Sequence, residues 1–193
     1  MLQFDTWRAP STASPFLTVV SHSHRDHVPK HAGQMVIHKY WADRPNIRGK
    51  KPIIADGQPL VFSLGRRKKI AVRALTPGDI SRMINQDVRN LHATWWLIKE
   101  GNDTTLFVGD FNAGEPEIAR ELLDSLAAQG IQISRIAIPA YGGVNGHNTG
   151  NSAQLSGEVE ELAAFARARG IKVTALPHPV APSWADEVWI RTQ

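Results

Sequence analysis

Residues 19–28 have the sequence Val19-Val20-Ser21-His22-Ser23-His24-Arg25-Asp26-His27-Val28. The apolar run before the first histidine, residues 16–20, predicts a buried strand. Because side chains alternate along an extended chain, His22 and His24 share one side, and the turn beyond them directs Asp26 and His27 differently. Neutral imidazole and carboxylate are typical zinc ligands, with bonds of about 2.0–2.2 Å. The stretch therefore predicts two adjacent metal positions, one at the first two histidines and the other at the aspartate and the third histidine.

An affinity tag and a structural zinc finger both fit the histidine cluster poorly. The cluster is internal and follows a predicted strand, which excludes an affinity tag. A structural zinc finger would want cysteines, and the sequence contains none. A metal-binding interpretation is therefore favoured over a chance cluster.

The length and composition of the chain fit one globular domain that covers residues 1–193. The absence of cysteine also excludes disulfides and thiolate chemistry. No apolar run approaches the ~20 residues of a membrane span. Residues 1–5 lack the basic and apolar parts of a signal peptide, so a cytoplasmic location with no membrane partner is the default expectation.

The charge of the chain weakly favours polyanionic partners. The formal net charge is +4 and the sequence pI is about 9.6. Much of the excess lies in residues 65–69, predicted as a basic hairpin turn, and at Arg48, Lys50 and Lys51. A solvated turn is the simpler explanation for residues 65–69, and nucleic-acid contact is the alternative.

Periodicity and breaker residues predict the remaining elements. The predicted strands are at 35–38, 59–64, 70–75, 95–98, 104–110, 131–138, 171–176 and, as a final edge strand, 187–190. The predicted helices are at 115–130 and 155–166. Residues 6–15 are predicted as a loop, and residues 76–91 show no clear pattern.

The His-x-His-x-Asp-His pattern of residues 22–27 resembles the signature of the metallo-β-lactamase superfamily. The resemblance implies three later ligands in a set order, and the chain offers one candidate for each. They are His92 before a predicted strand, Asp110 in a Gly-Asp pair that ends another, and His178 after a third. The resemblance therefore covers almost the whole chain.

The resemblance implies a dinuclear centre with two divalent ions, zinc favoured over manganese or iron. The implied ligands are His22, His24 and His92 for one ion, Asp26, His27 and His178 for the second, and Asp110 as a bridge between the two. A hydroxide shared by such ions attacks a carbonyl carbon or a phosphorus atom. Asp26 and Asp110 are thereby also expected to be catalytic residues.

The fold class implied by the resemblance is α+β, a four-layer αβ/βα sandwich. Asp5 resembles the aspartate that follows the first hairpin of the superfamily, and it would hold a ligand histidine or the motif loop. Because the chain starts almost at that aspartate, the N-terminal hairpin is expected to be reduced or missing. Pairing of two copies as a homodimer would cover an exposed edge strand.

His147 is a further candidate because it lies in the Gly/Asn-rich loop of residues 139–152. Loops between ligand-bearing elements commonly carry substrate contacts, so His147 is a candidate to bind a phosphate or to donate a proton to the leaving group. A surface-loop histidine with no such role is the slightly favoured alternative. His31 and His38 are not expected to be ligands because the implied set is already filled.

The sequences around Asp5 and Asp110 resemble the nuclease branch of the superfamily. Phe4-Asp5-x-Trp7-Arg8 and Gly109-Asp110-Phe111-Asn112 are similar to motifs of the DNA cross-link repair nucleases and the ligase-associated exonucleases. Those enzymes carry a clamping domain before the last histidine, and here core elements fill that interval. The expected activity is hydrolysis of a phosphodiester in a nucleic acid or nucleotide. The alternatives are a lactone, ester or thioester hydrolase of the same fold, and a non-catalytic metal-binding module.

Overall fold

The computed structural model describes residues 2–10, 16–30, 33–64, 68–141, 152–178 and 182–191. In chain order the elements are β1 (Leu2–Phe4), β2 (Trp7–Arg8), β3 (Leu17–Val20), β4 (Gln34–His38), the 3-10 helix Lys39–Trp41, β5 (Ile53–Ala55), β6 (Leu60–Leu64), β7 (Lys68–Leu75), α1 (Pro77–Ile84), β8 (Trp95–Glu100), β9 (Asp103–Phe107), α2 (Glu115–Ala128), β10 (Arg135–Tyr141), α3 (Ser152–Ala168), β11 (Lys172–His178), β12 (Glu187–Val188) and β13 (Ile190–Arg191). None of the helices in these ranges has the length and apolar character needed to cross a membrane.

The strands form two sheets. The first sheet has the order β13-β2-β1-β3-β4-β5, and the second has the order β12-β11-β10-β9-β8-β7-β6. The chain passes between the sheets at Trp189, which lies between β12 and β13. The predicted last strand at 187–190 is therefore two short edge strands, one in each sheet.

The two sheets pack face to face around one apolar cluster. Phe4 of the first sheet stacks on Phe107 of the second, with ring centroids 4.5 Å apart, and also on Trp189 at 4.8 Å. Trp96 belongs to this cluster, whereas Trp95 points to the opposite face of its sheet, as the alternation of a strand requires. Both tryptophans are fully buried and belong to the core on the two faces of this sheet.

The outer face of the second sheet carries the three helices. Leu122 and Leu126 of α2 and Val159 and Leu162 of α3 share one cluster with sheet residues such as Trp95. Their spacing of three or four residues gives each helix one apolar face, as the sequence indicated for α2 and α3.

Turns and the 3-10 helix Lys39–Trp41, rather than α-helices, cover the outer face of the first sheet within the described ranges. Val20 and Ile37 point outward there and pack with Val28 and Ile47, with Trp41 against them. Pro45 and Gly49 interrupt this segment, and Gly49 has a φ of +88°. The structure is therefore mixed α/β with two sheets and three helices, and the fourth layer implied by the resemblance is not confirmed.

Several boundaries differ from the sequence predictions. Residues 77–84, which showed no clear pattern, form α1. Thr76 caps this helix, and its hydroxyl accepts from the N–H of Asp79 at 3.1 Å while the Asp79 carboxylate accepts from Thr76. The predicted strand at 131–138 begins only at Arg135, and β2 lies inside the predicted loop 6–15. β1 and β2, the first two strands of the chain, thus form a short antiparallel hairpin in the first sheet.

Candidate metal centre

The ends of several strands meet at one edge of the two sheets. β1 and β3 are parallel, so Asp5 and the histidine motif both follow at this edge. In the second sheet β8 is antiparallel to β9, so His92 before β8 and Asp110 after β9 lie at the same end. The register Tyr141↔His178 between β10 and β11 brings the backbone of His178 to that end as well.

Hydrogen bonds from distant segments hold the loop that follows β3. The N–H of His27 donates to the carbonyl of His24 at 3.0 Å, which makes a tight turn. The hydroxyl of Thr6 and the guanidinium of Arg191 donate to the carbonyl of Asp26 at 2.8 and 3.1 Å. Arg191 also lies 3.6 Å from the Asp26 carboxylate. The C-terminal edge strand therefore helps to position the motif aspartate.

Three histidines form the first group of donors. His22 Nε2 lies 3.0 Å from His24 Nδ1, and the ring centroid of His92 lies 5.5 Å from that of His22 and 5.8 Å from that of His24. One ring nitrogen from each histidine lies within 4.8 Å of the other two. His22 is buried whereas His24 is exposed, so the group opens to solvent on one side.

Two aspartates and His27 form the second group. His27 Nε2 lies 3.2 Å from Asp110 Oδ2 and 3.5 Å from Asp26 Oδ2. The same oxygen of Asp110 lies 3.8 Å from His22 Nε2, so it faces both groups. The side chain of Asp26 is half exposed, and this group also opens at the surface.

Asp5 lies beneath the second group and supports it. Its carboxylate accepts from the backbone N–H and the hydroxyl of Ser21, both at 2.6 Å, and from His27 Nδ1 at 2.8 Å. The backbone of Asp5 has a φ of 51°, a left-handed conformation that aspartate and asparagine tolerate better than most residues. Asp5 thus contacts a motif histidine and the loop, the role that the sequence analysis expected.

These contacts determine which ring nitrogens carry hydrogen. The Ser21 hydroxyl donates to Asp5, so its oxygen accepts from His22 Nδ1 at 2.9 Å. His22 Nε2 then keeps its lone pair and faces His24 and Asp110. His27 likewise donates from Nδ1 to Asp5 and directs Nε2 at Asp110. Each ring therefore has Nδ1 held by a hydrogen bond and Nε2 directed at the centre, the arrangement found in metal-ligating histidines.

The electrostatics favour neutral imidazoles at His22 and His92 and a positive charge at His27. Burial, followed by the charge of His27, lowers the pKa of His22 to about 2, and burial also lowers the pKa of His92. Burial alone would lower the pKa of His27, but Asp5 and Asp110 outweigh it and raise that pKa to about 10. The space beside His27 and Asp110 therefore attracts a proton or a metal cation.

Close contact with neighbouring segments explains the glycine of the Gly-Asp pair. A Cβ at Gly109 would lie 2.4 Å from the Cβ of Ala93 and 2.6 Å from that of Ser21. The backbone before Asp110 therefore lies directly against the segments that carry His92 and His22, and only glycine fits there.

Two contacts that support the first group of donors were not predicted from the sequence. Glu115, predicted only as the acidic start of α2, is buried and accepts from the N–H of His92 at 2.8 Å. Burial raises the pKa of Glu115 to about 7, although the hydrogen bonds from His92 and Asn112 oppose the rise. On the other side, Trp41 donates to the Thr94 hydroxyl at 3.1 Å, and its ring centroid lies 6.0 Å from that of His22.

The donor atoms fit divalent metal ions of the zinc type. Tetrahedral coordination with bonds of about 2.0–2.1 Å places neighbouring donors roughly 3.3 Å apart. Four donor–donor distances, 3.0, 3.2, 3.5 and 3.8 Å, bracket that value, and the ring nitrogens of His22, His24 and His92 lie within 4.8 Å of one another. Imidazole nitrogen and carboxylate oxygen are also the donor types that such ions take.

The structure brings together six of the seven side chains that the sequence predicted as ligands. They are His22, His24, Asp26, His27, His92 and Asp110. The backbone of His178 reaches the same edge, and its side chain is outside the described part of the structure. His147, His31 and the turn residues 65–67 also lie outside the described residues. His38 instead caps the 3-10 helix by accepting from the N–H of Tyr40.

Comparison with known proteins finds no family model that matches the sequence and no curated protein that matches it. Among solved structures, the chain is similar to the metallo-β-lactamase FIM-1 from Pseudomonas aeruginosa in its mono-zinc form. The similarity covers 61% of this chain and 42% of that chain, with 10% sequence identity and a TM-score of 0.28. The chain thus spans less than half of the length of that lactamase.

Proposed function

We propose that this protein is a metal-dependent hydrolase whose centre lies at the edge where the two sheets meet. One observation carries the proposal. Nitrogen and oxygen donors from separate segments of both sheets converge there at spacings that suit zinc-type coordination. Convergence of this kind requires the fold to bury and orient several polar groups, which is costly without a compensating cation.

The two groups of donors support two ion positions. His22, His24 and His92 would hold one ion, and Asp26 and His27 the other, with His178 as its proposed further ligand and Asp110 between them. Two divalent cations would supply activation of water near neutral pH and charge stabilisation for an attacked ester. Zinc is the favoured ion, since the donors are mainly imidazole nitrogen.

The residues of the chain have separate tasks in this proposal. Asp5 and Ser21 hold the rings of His27 and His22 so that Nε2 of each faces the centre. Asp110 Oδ2 faces both groups. The exposed His24 and Asp26 lie at the open side, where a substrate would approach. His147 is the proposed proton donor to the leaving group.

A phosphodiester is the favoured substrate class. The net charge of +4 suits an anionic substrate, and the motifs around Asp5 and Asp110 resemble those of nucleases. An ester or lactone would require no such charge, and a purely metal-binding module would not turn over any substrate.

Metal analysis combined with a substrate panel tests the proposal. Purified protein loaded with Zn²⁺ or Mn²⁺ is assayed on bis(p-nitrophenyl) phosphate, single-stranded DNA, RNA and a lactone. We expect about two metal equivalents per chain and hydrolysis of the phosphodiesters. Asp110→Asn and His24→Ala should lose activity and bound metal, whereas His38→Gln, a histidine outside the centre, should keep both.

Each part of the proposal has its own contrary result. Lactone hydrolysis without phosphodiester hydrolysis would reject the substrate class and leave the hydrolase. Stoichiometric metal without turnover of any substrate would reject the enzyme. Absence of stoichiometric metal would reject the centre.

A further inference from the structure

Residues 39–51, called here the basic segment, lie beside the metal centre and are rich in exposed positive charge. They contain five exposed cations, Lys39, Arg44, Arg48, Lys50 and Lys51. Asp43 is the one acid in this range, so the net charge of the segment is +4, equal to the formal net charge of the whole chain.

The basic segment is held firmly against the motif loop. Ile47 is fully buried under the first sheet. The amide of Asn46 donates to the carbonyl of Ser23 at 3.0 Å, and the ammonium of Lys50 donates to the carbonyl of Pro29 at 3.1 Å. The first contact lies within the histidine motif and the second just after it, so the segment keeps a defined position relative to the donors.

Two aromatic rings connect the basic segment to the centre. The ring centroid of Trp41 lies 6.0 Å from that of His22, and Tyr40 packs edge-on against Trp41 with centroids 4.8 Å apart. The Tyr40 ring therefore lies within about 11 Å of the His22 ring, the sum of those two distances. Although Tyr40 is a large aromatic residue, it is 64% exposed.

Arg44 adds a cation to the two rings. Its guanidinium carbon lies 5.7 Å from the centroid of Tyr40 and 5.8 Å from that of Trp41. An exposed ring with adjacent cations is the combination that binds single-stranded nucleic acid, because bases stack on the ring and phosphates contact the cations. A duplex offers no exposed base face to such a ring.

From these observations we propose that the basic segment binds single-stranded nucleic acid, with a base stacked on Tyr40 and phosphates at Arg44 and Arg48. The choice of ligand rests on the proposed function, because the same strand would continue toward the metal centre. A base on Tyr40 lies only a few nucleotides from the donors at the spacing of a nucleic-acid strand. The segment would thus direct a strand to the site.

Binding is tested without catalysis, by fluorescence anisotropy with fluorescein-labelled oligothymidine and oligouridine in the presence of a chelator. Tyr40→Ala should weaken binding about 5- to 100-fold, the effect of removing one stacking ring. Tyr40→Phe, which keeps the ring, should bind within about twofold of the unchanged protein. Thermal unfolding of each variant checks that it is folded.

The charge contribution is tested by salt dependence. Arg44→Gln should reduce the slope of log K against log salt by about 0.7 if the arginine contacts one phosphate of a single strand. Lys99→Gln is the matched control, because it removes one exposed positive charge at the far end of β8. It should leave both affinity and slope unchanged.

Three results would overturn the inference: Tyr40→Ala binding as tightly as the unchanged protein, Tyr40→Phe losing as much affinity as Tyr40→Ala, or a duplex of the same length binding as tightly as the single strand. Failure of the proposed function is seen separately. It would appear as absence of bis(p-nitrophenyl) phosphate hydrolysis by the unchanged, metal-loaded protein, whatever the oligonucleotide binding shows.

Discussion

Replacing Gly109 by alanine would place a methyl group closer to three neighbouring atoms than van der Waals contact allows. The new Cβ would meet the Cβ of Ala93 at 2.4 Å and the Cβ and Oγ of Ser21 at 2.6 and 2.9 Å. Carbon atoms in contact are normally about 3.5–4.0 Å apart, so the segments would have to separate by about 1 Å. Forced overpacking of this kind costs about 1–3 kcal/mol.

The separation would also reach the metal centre, because each of the two residues that the new Cβ would meet is adjacent in sequence to a donor histidine. Ser21 bonds to Asp5 and to His22, and Ala93 follows His92 directly. In chelator, Gly109→Ala should lower the Tm by about 2–12 °C, given about 2–4 °C per kcal/mol for a chain of this size. It should also weaken metal binding in competition with a chromophoric chelator.

Two further variants test the reasoning behind Gly109→Ala. Gly157→Ala in α3 is the control, since no atom lies within 4 Å of its added Cβ and alanine favours a helix by up to about 1 kcal/mol. Adding Ala93→Gly to Gly109→Ala removes the closest contact and should restore part of the Tm. If Gly109→Ala has the Tm and metal affinity of the unchanged protein, close approach does not explain this glycine.

Three other predictions concern the supports of the centre and of the fold. Asp5→Asn keeps a residue that tolerates the left-handed backbone but removes the carboxylate that contacts His27. Metal affinity should therefore fall about 10- to 100-fold. An unchanged metal affinity would contradict the supporting role of Asp5. The pKa of Asp79 is lowered, because burial, which would raise it, is outweighed by the hydrogen bonds of the helix cap and by two arginines. A lowered carboxyl pKa stabilises the fold above the unfolded value of about 3.9 and loses that effect as pH falls. Asp79→Asn should therefore cost about 1 kcal/mol in urea unfolding near neutral pH, with the difference shrinking in acid; a constant difference would exclude an ionic contribution. Trp189→Ala removes a buried ring that stacks on Phe4 and should cost about 3–5 kcal/mol by the same measurement, unless the two sheets close over the gap.

The local hydrophobic pattern of the sequence was sufficient to predict much of the fold and the residues of the histidine motif that lie at the metal centre. Alternation placed the strand around residues 70–75, and continuous apolar runs placed those around residues 35–38 and 95–98, because a strand buried on both faces has apolar residues at successive positions. The end of a buried strand also explains why His22 and His24 emerge at a sheet edge. The first helix was missed, although Thr76 and Asp79 formed a recognisable capping pair around Pro77.

Contacts between distant segments account for what the sequence did not indicate. Glu115 holds the backbone of His92 across 23 residues, and Arg191 contacts Asp26 across 165. No spacing rule connects such pairs, since they depend on how the helices and the last strand pack. The packing of the turns on the first sheet was also not predictable from sequence pattern. Ile47, which is buried there, is a single apolar residue in a polar segment and gives no periodic signal.

The packing of the core and the geometry of the metal centre depend on each other. The donors come from both sheets: Asp5 and the histidine motif follow strands of the first, and Asp110 follows a strand of the second. Phe4 precedes Asp5 directly and stacks on Phe107, the last residue of β9, so this contact sets the separation of the sheets immediately below the donors. A sliding of one sheet on the other would separate the two donor groups, since a shift of about 1 Å is large compared with metal bonds that tolerate about 0.2 Å. Substitutions of the aromatic stack should therefore weaken metal binding together with stability, even though no stacked ring touches a metal position.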